Sequence, residues 1–243
     1  MSFAGKRYWL IGASEGLGAA LALQLSQAGA EVLLSARSEE RLTALAATLP
    51  GPATVLPCDV AHSDSVEAAA TKAGQIDGMI WLAGVYWPMR AQKLDARQAE
   101  AMADINFTGA IRAVSSVLPQ MIARGTGHIV ITGSLSGFRG LPGAVGYAAS
   151  KAGCMVLAES LYADLRGSGV HVQLANPGFI KTRLTEKNDF AMPFLMTPET
   201  AATHMMRLMA RPQRFKANFP RVFSWVFRGA QVLPDWLYYR FFA

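Results

Sequence analysis

Cysteine, charge and long apolar runs are all scarce in this chain. Its 243 residues include only two cysteines, Cys58 and Cys154, at no metal-like spacing, so a disulfide scaffold and a cysteine-rich metal site are excluded. Two buried free thiols are the simple reading, and they fit a reducing, cytoplasmic setting. Charged residues make up just 16% against 51% hydrophobic ones, which excludes a disordered chain and fits a well-filled core. No apolar run approaches the roughly 18–20 residues of a membrane span, and residues 1–8 lack the apolar core of a secretory signal. The net charge of +6 is also local. From Arg211 onward six basic residues face a single acid, Asp235, which leaves the preceding body close to neutral. A nucleic-acid partner would want a basic stripe on the folded body, and there is none.

What is present is an alternation of short apolar runs with longer helical patterns, the mark of repeated βαβ units. Residues 8–11, 31–35, 53–58, 78–82, 128–132 and 170–175 read as strands. Residues 17–28, 95–124 and 147–166 read as helices, and Ser38 is placed to cap another, with Glu39 and Glu40 in its first turn. Right-handed crossovers make this an α/β chain: one doubly wound Rossmann-type domain over 1–210, with a mostly parallel sheet of about seven strands and helices on both faces. An aromatic helical extension follows over 211–243. Ligands of such sheets bind at the carboxyl ends of the strands.

Gly12, Ser14, Glu15, Gly16, Leu17 and Gly18 fall in the turn between the first strand and first helix. Phosphate oxygens need bare backbone N–H groups at a helix N-terminus, and side chains at Gly12 or Gly16 would obstruct them. A plain tight turn is the alternative. The second strand ends on Ala36 and Arg37, where an NAD site would carry a carboxylate. A guanidinium there suits the 2′-phosphate of NADP, so NADP(H) is favoured over NAD(H). Glu15 is an awkward charge beside a phosphate.

Tyr147 and Lys151 stand four apart on one helical face, with Ser134 ending the preceding strand. A lysine charge favours a phenolate, and a hydroxyl opposite can hold a carbonyl or alkoxide oxygen beside the phenol. A half-exposed helix face is the alternative for the Tyr–Lys pair alone. Together with the glycine loop, Asp59, Asn106 and the Pro177-Gly178 pair, these residues resemble the short-chain dehydrogenase/reductase family over 6–210, Ser134 preceding Tyr147 by 13 positions as that family's pattern has it. The resemblance implies a catalytic set of Ser134, Tyr147, Lys151 and Asn106, the last anchoring a water in a proton relay. It also implies that Asp59 and Val60 contact adenine, that Lys151 holds the nicotinamide ribose, and that Ala83 and Gly84 let backbone approach the cofactor. Pro177, Gly178, Ile180 and Thr182 would line the nicotinamide and pyrophosphate. One departure stands out: where the family has Asn-Asn-Ala-Gly, this chain has Trp81-Leu82-Ala83-Gly84, so a sheet-supporting amide is missing.

By the same layout the substrate borders 85–88, 135–141 and 179–196, an apolar set that includes Phe179, Phe190, Met192 and Met196. The implied partner is a small hydrophobic carbonyl or alcohol. Arg139 reads as a solvated loop residue or an anchor for an anionic end, and the methionines as core filling or pocket lining. Ten of the 23 aromatics follow Arg211. In 221–233, Arg221, Ser224, Arg228 and Gln231 define a narrow polar face opposite a broad apolar one. The expectation is packing on the domain or across a homo-oligomer interface, with peripheral membrane contact as the alternative. Two further readings stay open: a catalytically inactive cofactor-binding scaffold or sensor, and a membrane-surface lipid-modifying reductase.

Overall fold

The computed structural model describes residues 2–187 and 190–242. Residues Tyr8, Trp9, Leu10 and Ile11 are all buried within β1 (Arg7–Ile11), as a strand covered on both faces requires. The other strands are β2 (Glu31–Ser35), β3 (Ala53–Val55), β4 (Gly78–Trp81), β5 (Gly127–Thr132), β6 (Val170–Pro177) and β7 (Lys216–Phe219). They form one all-parallel sheet in the order β3-β2-β1-β4-β5-β6-β7. Strand order reverses beside β1, so a crevice opens where the chain leaves β1 and β4 in opposite directions.

Side-chain alternation divides the core into two layers. Trp9, Ile11, Trp81, Ile129 and Ile131 point to one face of the sheet, beneath α3 (Ser63–Ala73), α5 (Gly109–Arg124) and α6 (Val145–Asp164). Tyr8, Leu10, Ile80 and Val130 point to the other, against α1 (Gly16–Gln27), α2 (Glu39–Ala46) and α7 (Pro198–Met209). The expected helix over 95–124 is α4 (Ala96–Ala103) running into α5 through a π-helical turn, Asp104–Thr108. Such turns recur at functional sites because they re-aim a side chain.

The seventh strand lies at Lys216–Phe219, beyond the position where the sequence reading opened its extension. A buried glutamine explains why so short a segment joins the sheet: Gln173 Nε2 shares its two hydrogens among the carbonyls of Leu208, Arg211 and Arg214, at 2.8–3.0 Å. Its Oε1 is 2.9 Å from His128 Nε2, whose Nδ1 meets the Tyr8 hydroxyl at 3.0 Å. This polar chain crosses the sheet interior and fixes the link between α7 and β7.

After β7 come α8 (Arg221–Gln231) and α9 (Asp235–Phe242). Their orientation differs from the sequence reading. Phe223, Ser224 and Ala230 face inward, while Val222, Trp225 and Val226 are exposed. Ser224 tolerates burial because its hydroxyl donates to the Arg221 carbonyl at 2.7 Å. Arg139 is neither solvated nor aimed at a ligand. It donates to the carbonyls of Ala230 and Leu233, both at 2.8 Å, pairs with Asp235 and lies 4.0 Å over the Tyr238 ring. A guanidinium at the C-terminal end of α8 satisfies carbonyls the helix leaves open. Tyr238 donates back to the Gly140 carbonyl at 2.7 Å, and Gln231 to that of Phe138 at 3.0 Å.

Candidate active site

The glycine turn presses against the end of β4. A Cβ at Gly12, which has φ +100°, would come within 2.5 Å of the Ala83 backbone N, and one at Gly18 within 2.1 Å of the Gly12 carbonyl. Neither neighbour can retreat, because both belong to the packed backbone. The bare N-terminus of α1 therefore faces a cleft of about 300 Å³. Every residue expected at the cofactor lines it: Gly12, Ser14, Glu15, Gly16, Leu17, Gly18, Arg37, Asp59, Val60, Ala83, Gly84, Tyr147, Lys151, Pro177, Gly178, Ile180 and Thr182.

The charge of Glu15 is balanced by two arginines, Arg41 at 3.4 Å and Arg183. Both line the cleft, and the sequence reading missed them. No local motif marks either, since each meets Glu15 only through the fold. Exposed Arg37 lines the cleft with no carboxylate partner among the described residues. Bare backbone donors at one end and a free guanidinium at the other fit a phosphorylated dinucleotide.

Ser134 and Tyr147 line this cleft and also a second cavity of about 490 Å³. The Ser134 hydroxyl accepts from Ser136 N at 3.2 Å and from the Ser136 hydroxyl at 2.9 Å, so Ser136 fixes its direction. Lys151 is buried, and its Nζ donates to the Thr132 carbonyl at 3.0 Å, 5.9 Å from the centre of the Tyr147 ring. The expected lowering of the tyrosine pKa is reversed here. Loss of water around its hydroxyl pushes Tyr147 up to about 12, although the facing Ser134 hydroxyl pulls it down. The ring itself stays half-buried because one side lines the two cavities. Burial likewise lowers Lys151.

Asn106, in the π-helical turn, braces the loop after β4. Its Oδ1 accepts from Val85 N at 2.7 Å, and its Nδ2 donates to the Val85 carbonyl and the Ser150 hydroxyl, both at 3.0 Å. Its own carbonyl accepts from Trp81 Nε1 at 3.2 Å. The indole thus joins β4 to the π turn, at the position where the family's amide pattern is missing. Asn106 is the one member of the expected catalytic set that does not line the cleft.

A match to the short chain dehydrogenase family covers residues 6–192. The chain belongs to that family. It is an oxidoreductase by that membership, and its relatives agree. An uncharacterised oxidoreductase of Myxococcus xanthus is 40% identical over 234 residues, covering 93% of this chain and 92% of that one. A 3-oxoacyl-[acyl-carrier-protein] reductase of Thermotoga maritima is 33% identical over 194 residues, 77% of this chain and 79% of its own. Among solved structures, a short-chain dehydrogenase from Sphingobium yanoikuyae in complex with NADPH superposes with a TM-score of 0.83 at 26% identity, covering 95% of this chain and 97% of that one.

The second cavity is mainly apolar, and all three expected segments contribute to its walls, though not with every residue. Tyr86, Leu135, Leu141, Phe179, Leu184 and Phe190 line it. Ile180 and Met196 instead pair across a bridge, and both are buried in the core, so Met196 is core filling. Phe194 and Leu195 lie exposed at the surface. The unexpected wall comes from α8: Phe223 and Phe227 line the cavity, with the Phe223 ring 5.7 Å from that of Phe179. The inner face of the extension is part of the site.

Proposed function

We propose that this short-chain dehydrogenase interconverts a hydrophobic carbonyl compound and its alcohol using NADP(H), with Tyr147 as the proton-transferring acid. One observation carries the reading: Ser134 and Tyr147 stand where the cleft lined by the glycine turn and Arg37 meets a mainly apolar cavity. When bound, the cofactor supplies the hydride. Gly12, Gly16 and the α1 N-terminus would hold its phosphates, and Arg37 the 2′-phosphate. The NADPH complex of the Sphingobium relative supports that choice. Lys151, which lines the same cleft, would hold the ribose end of the cofactor.

On the protein side, Ser134 orients the carbonyl oxygen and Tyr147 gives that oxygen its proton. A phenol raised to about 12 is protonated at neutral pH, so it is poised as a donor for carbonyl reduction. Oxidation of an alcohol needs the phenolate and rises with pH. The walls formed by Phe179, Phe190, Phe223 and Phe227 favour an apolar substrate body, because an unpaired polar group against them would be costly to bury. The test is cofactor consumption across hydrophobic aldehydes, ketones and 3-oxoacyl thioesters, with NADPH and NADH in parallel. The proposal expects turnover with NADPH on at least one apolar carbonyl; turnover with NADH alone would contradict the cofactor assignment.

A further inference from the structure

The inner side of α8 closes the cavity, but its outer side has no partner. Val222, Trp225 and Val226 on α8, with Trp236, Tyr239 and Phe241 on α9, are all more than half exposed, Trp225 at 65% and Trp236 at 71%. Arg221 and Arg228 border the apolar strip of α8, and Arg240 lies beside Trp236 and Tyr239 on α9; all three are exposed. None has a carboxylate partner among the described residues. The Arg228 guanidinium nevertheless donates to the Asn218 side-chain oxygen on β7 at 2.9 and 3.1 Å, which leaves Arg221 and Arg240 as the cations turned to solvent.

We infer that the outer face of α8 and α9 docks on an anionic lipid bilayer. Tryptophan and tyrosine put an apolar ring and a polar edge at the level where a bilayer changes from hydrocarbon to headgroup. Arginines around such a strip reach lipid phosphates while their stems cover apolar surface. The helices lie on the surface and do not cross it. The 11 residues of α8 span about 16 Å against a hydrocarbon core of roughly 30 Å, and no helix among the described residues is long and apolar enough to cross a membrane.

A second copy of the chain fits this face less well. A two-fold contact would bring the same arginines together, and the one acid on these two helices, Asp235, is held by Arg139. A bilayer carrying negative headgroups meets both the rings and the charge. This docking is independent of what the cavity accepts, so its failure would leave the proposed chemistry standing.

Flotation of the full chain with vesicles of phosphatidylcholine, alone or mixed with phosphatidylglycerol, tests the inference. The chain should float with the mixed vesicles, and more weakly as salt rises. Trp225→Ser with Trp236→Ser should cut partitioning roughly tenfold or more. Arg221→Gln and Arg240→Gln should each cut it about fivefold. Melting by circular dichroism checks that the variants keep their fold, and the arginine variants carry the test if the tryptophan pair does not. Failure of the parent to float with either vesicle would overturn the inference. So would a tryptophan variant that floats like the parent, or one whose only change is a fall in sedimenting mass from dimer to monomer.

Discussion

The cofactor cleft and the substrate cavity share Ser134 and Tyr147 but are built in opposite ways. The cleft lies at the carboxyl ends of strands, where the backbone of the glycine turn at Gly12, Gly16 and Gly18 meets residues that follow β2, β3, β4, β5 and β6. Its shape follows from hydrogen-bonded sheet geometry that few substitutions can alter. The cavity is enclosed by side chains from three separated loops and from α8, which sits some ninety residues beyond Ser134. That wall is tied by the Arg139 clamp and packs on β7 at the edge of the sheet. On the proposed reading, cofactor chemistry rests on the strand ends, and substrate selection on loops and a helix whose sequence and packing can vary.

The largest expected effect falls on Tyr147, one of the residues the two compartments share. Tyr147→Phe keeps the ring packing and removes the proton, so turnover should drop by about 10²–10⁴-fold while cofactor affinity stays within a few-fold. Steady-state kinetics beside a cofactor titration separates the two, and a variant turning over near the parent rate would remove Tyr147 from the mechanism.

The rigidity of the sheet has its own test. Burial lowers His128 to about 4, whereas an unfolded histidine titrates near 6.5. Above 6.5 both states are neutral. As pH falls from 6.5 towards 4 the unfolded chain gains a proton that the folded one refuses, and stability should drop by up to about 3 kcal/mol. Denaturant melts across that window should show the slope, and His128→Gln should flatten it. An unchanged slope would mean that His128 titrates normally.

Two smaller effects should divide between the compartments. Arg37→Ala should weaken NADPH by about 1.5–3 kcal/mol and leave NADH nearly unchanged; equal losses in a binding titration would remove Arg37 from the 2′-phosphate site. Arg139→Ala should leave both cofactors alone. It frees the Ala230 and Leu233 carbonyls, so α8 should open more readily by about 1–2 kcal/mol, after discounting the exposed Asp235 pair. Faster amide exchange confined to α8 and α9, with weaker binding of apolar substrates, is the expected reading. Uniform exchange across the sheet would show that the clamp is not local.

The same contrast explains what was legible before the structure. The βαβ alternation, the glycine turn and the set of Ser134, Tyr147 and Lys151 are short-range patterns, and the residues expected at the cofactor converge on one cleft. The strand β7 was hidden because four residues inside a basic, aromatic stretch have no period of their own; Gln173 recruits them from a distance. The helical wheel of α8 misled because it treats Ser224 as a solvent residue, whereas a local hydrogen bond lets it turn inward. Arg139 looked like a loop residue because its partners lie more than ninety positions away. The raised Tyr147 pKa follows from burial, which spacing to Lys151 does not reveal.

The central claim is that hydride passes to an apolar carbonyl where the two compartments meet. Its most direct test uses NADPH carrying deuterium at the transferring position, with hydrophobic aldehydes and ketones as acceptors and mass spectrometry of the alcohols formed. Deuterium should appear on the carbinol carbon, with the label nearly lost when Tyr147→Phe replaces the parent. Across such a panel, an absence of labelled alcohol above the enzyme-free background would contradict the account.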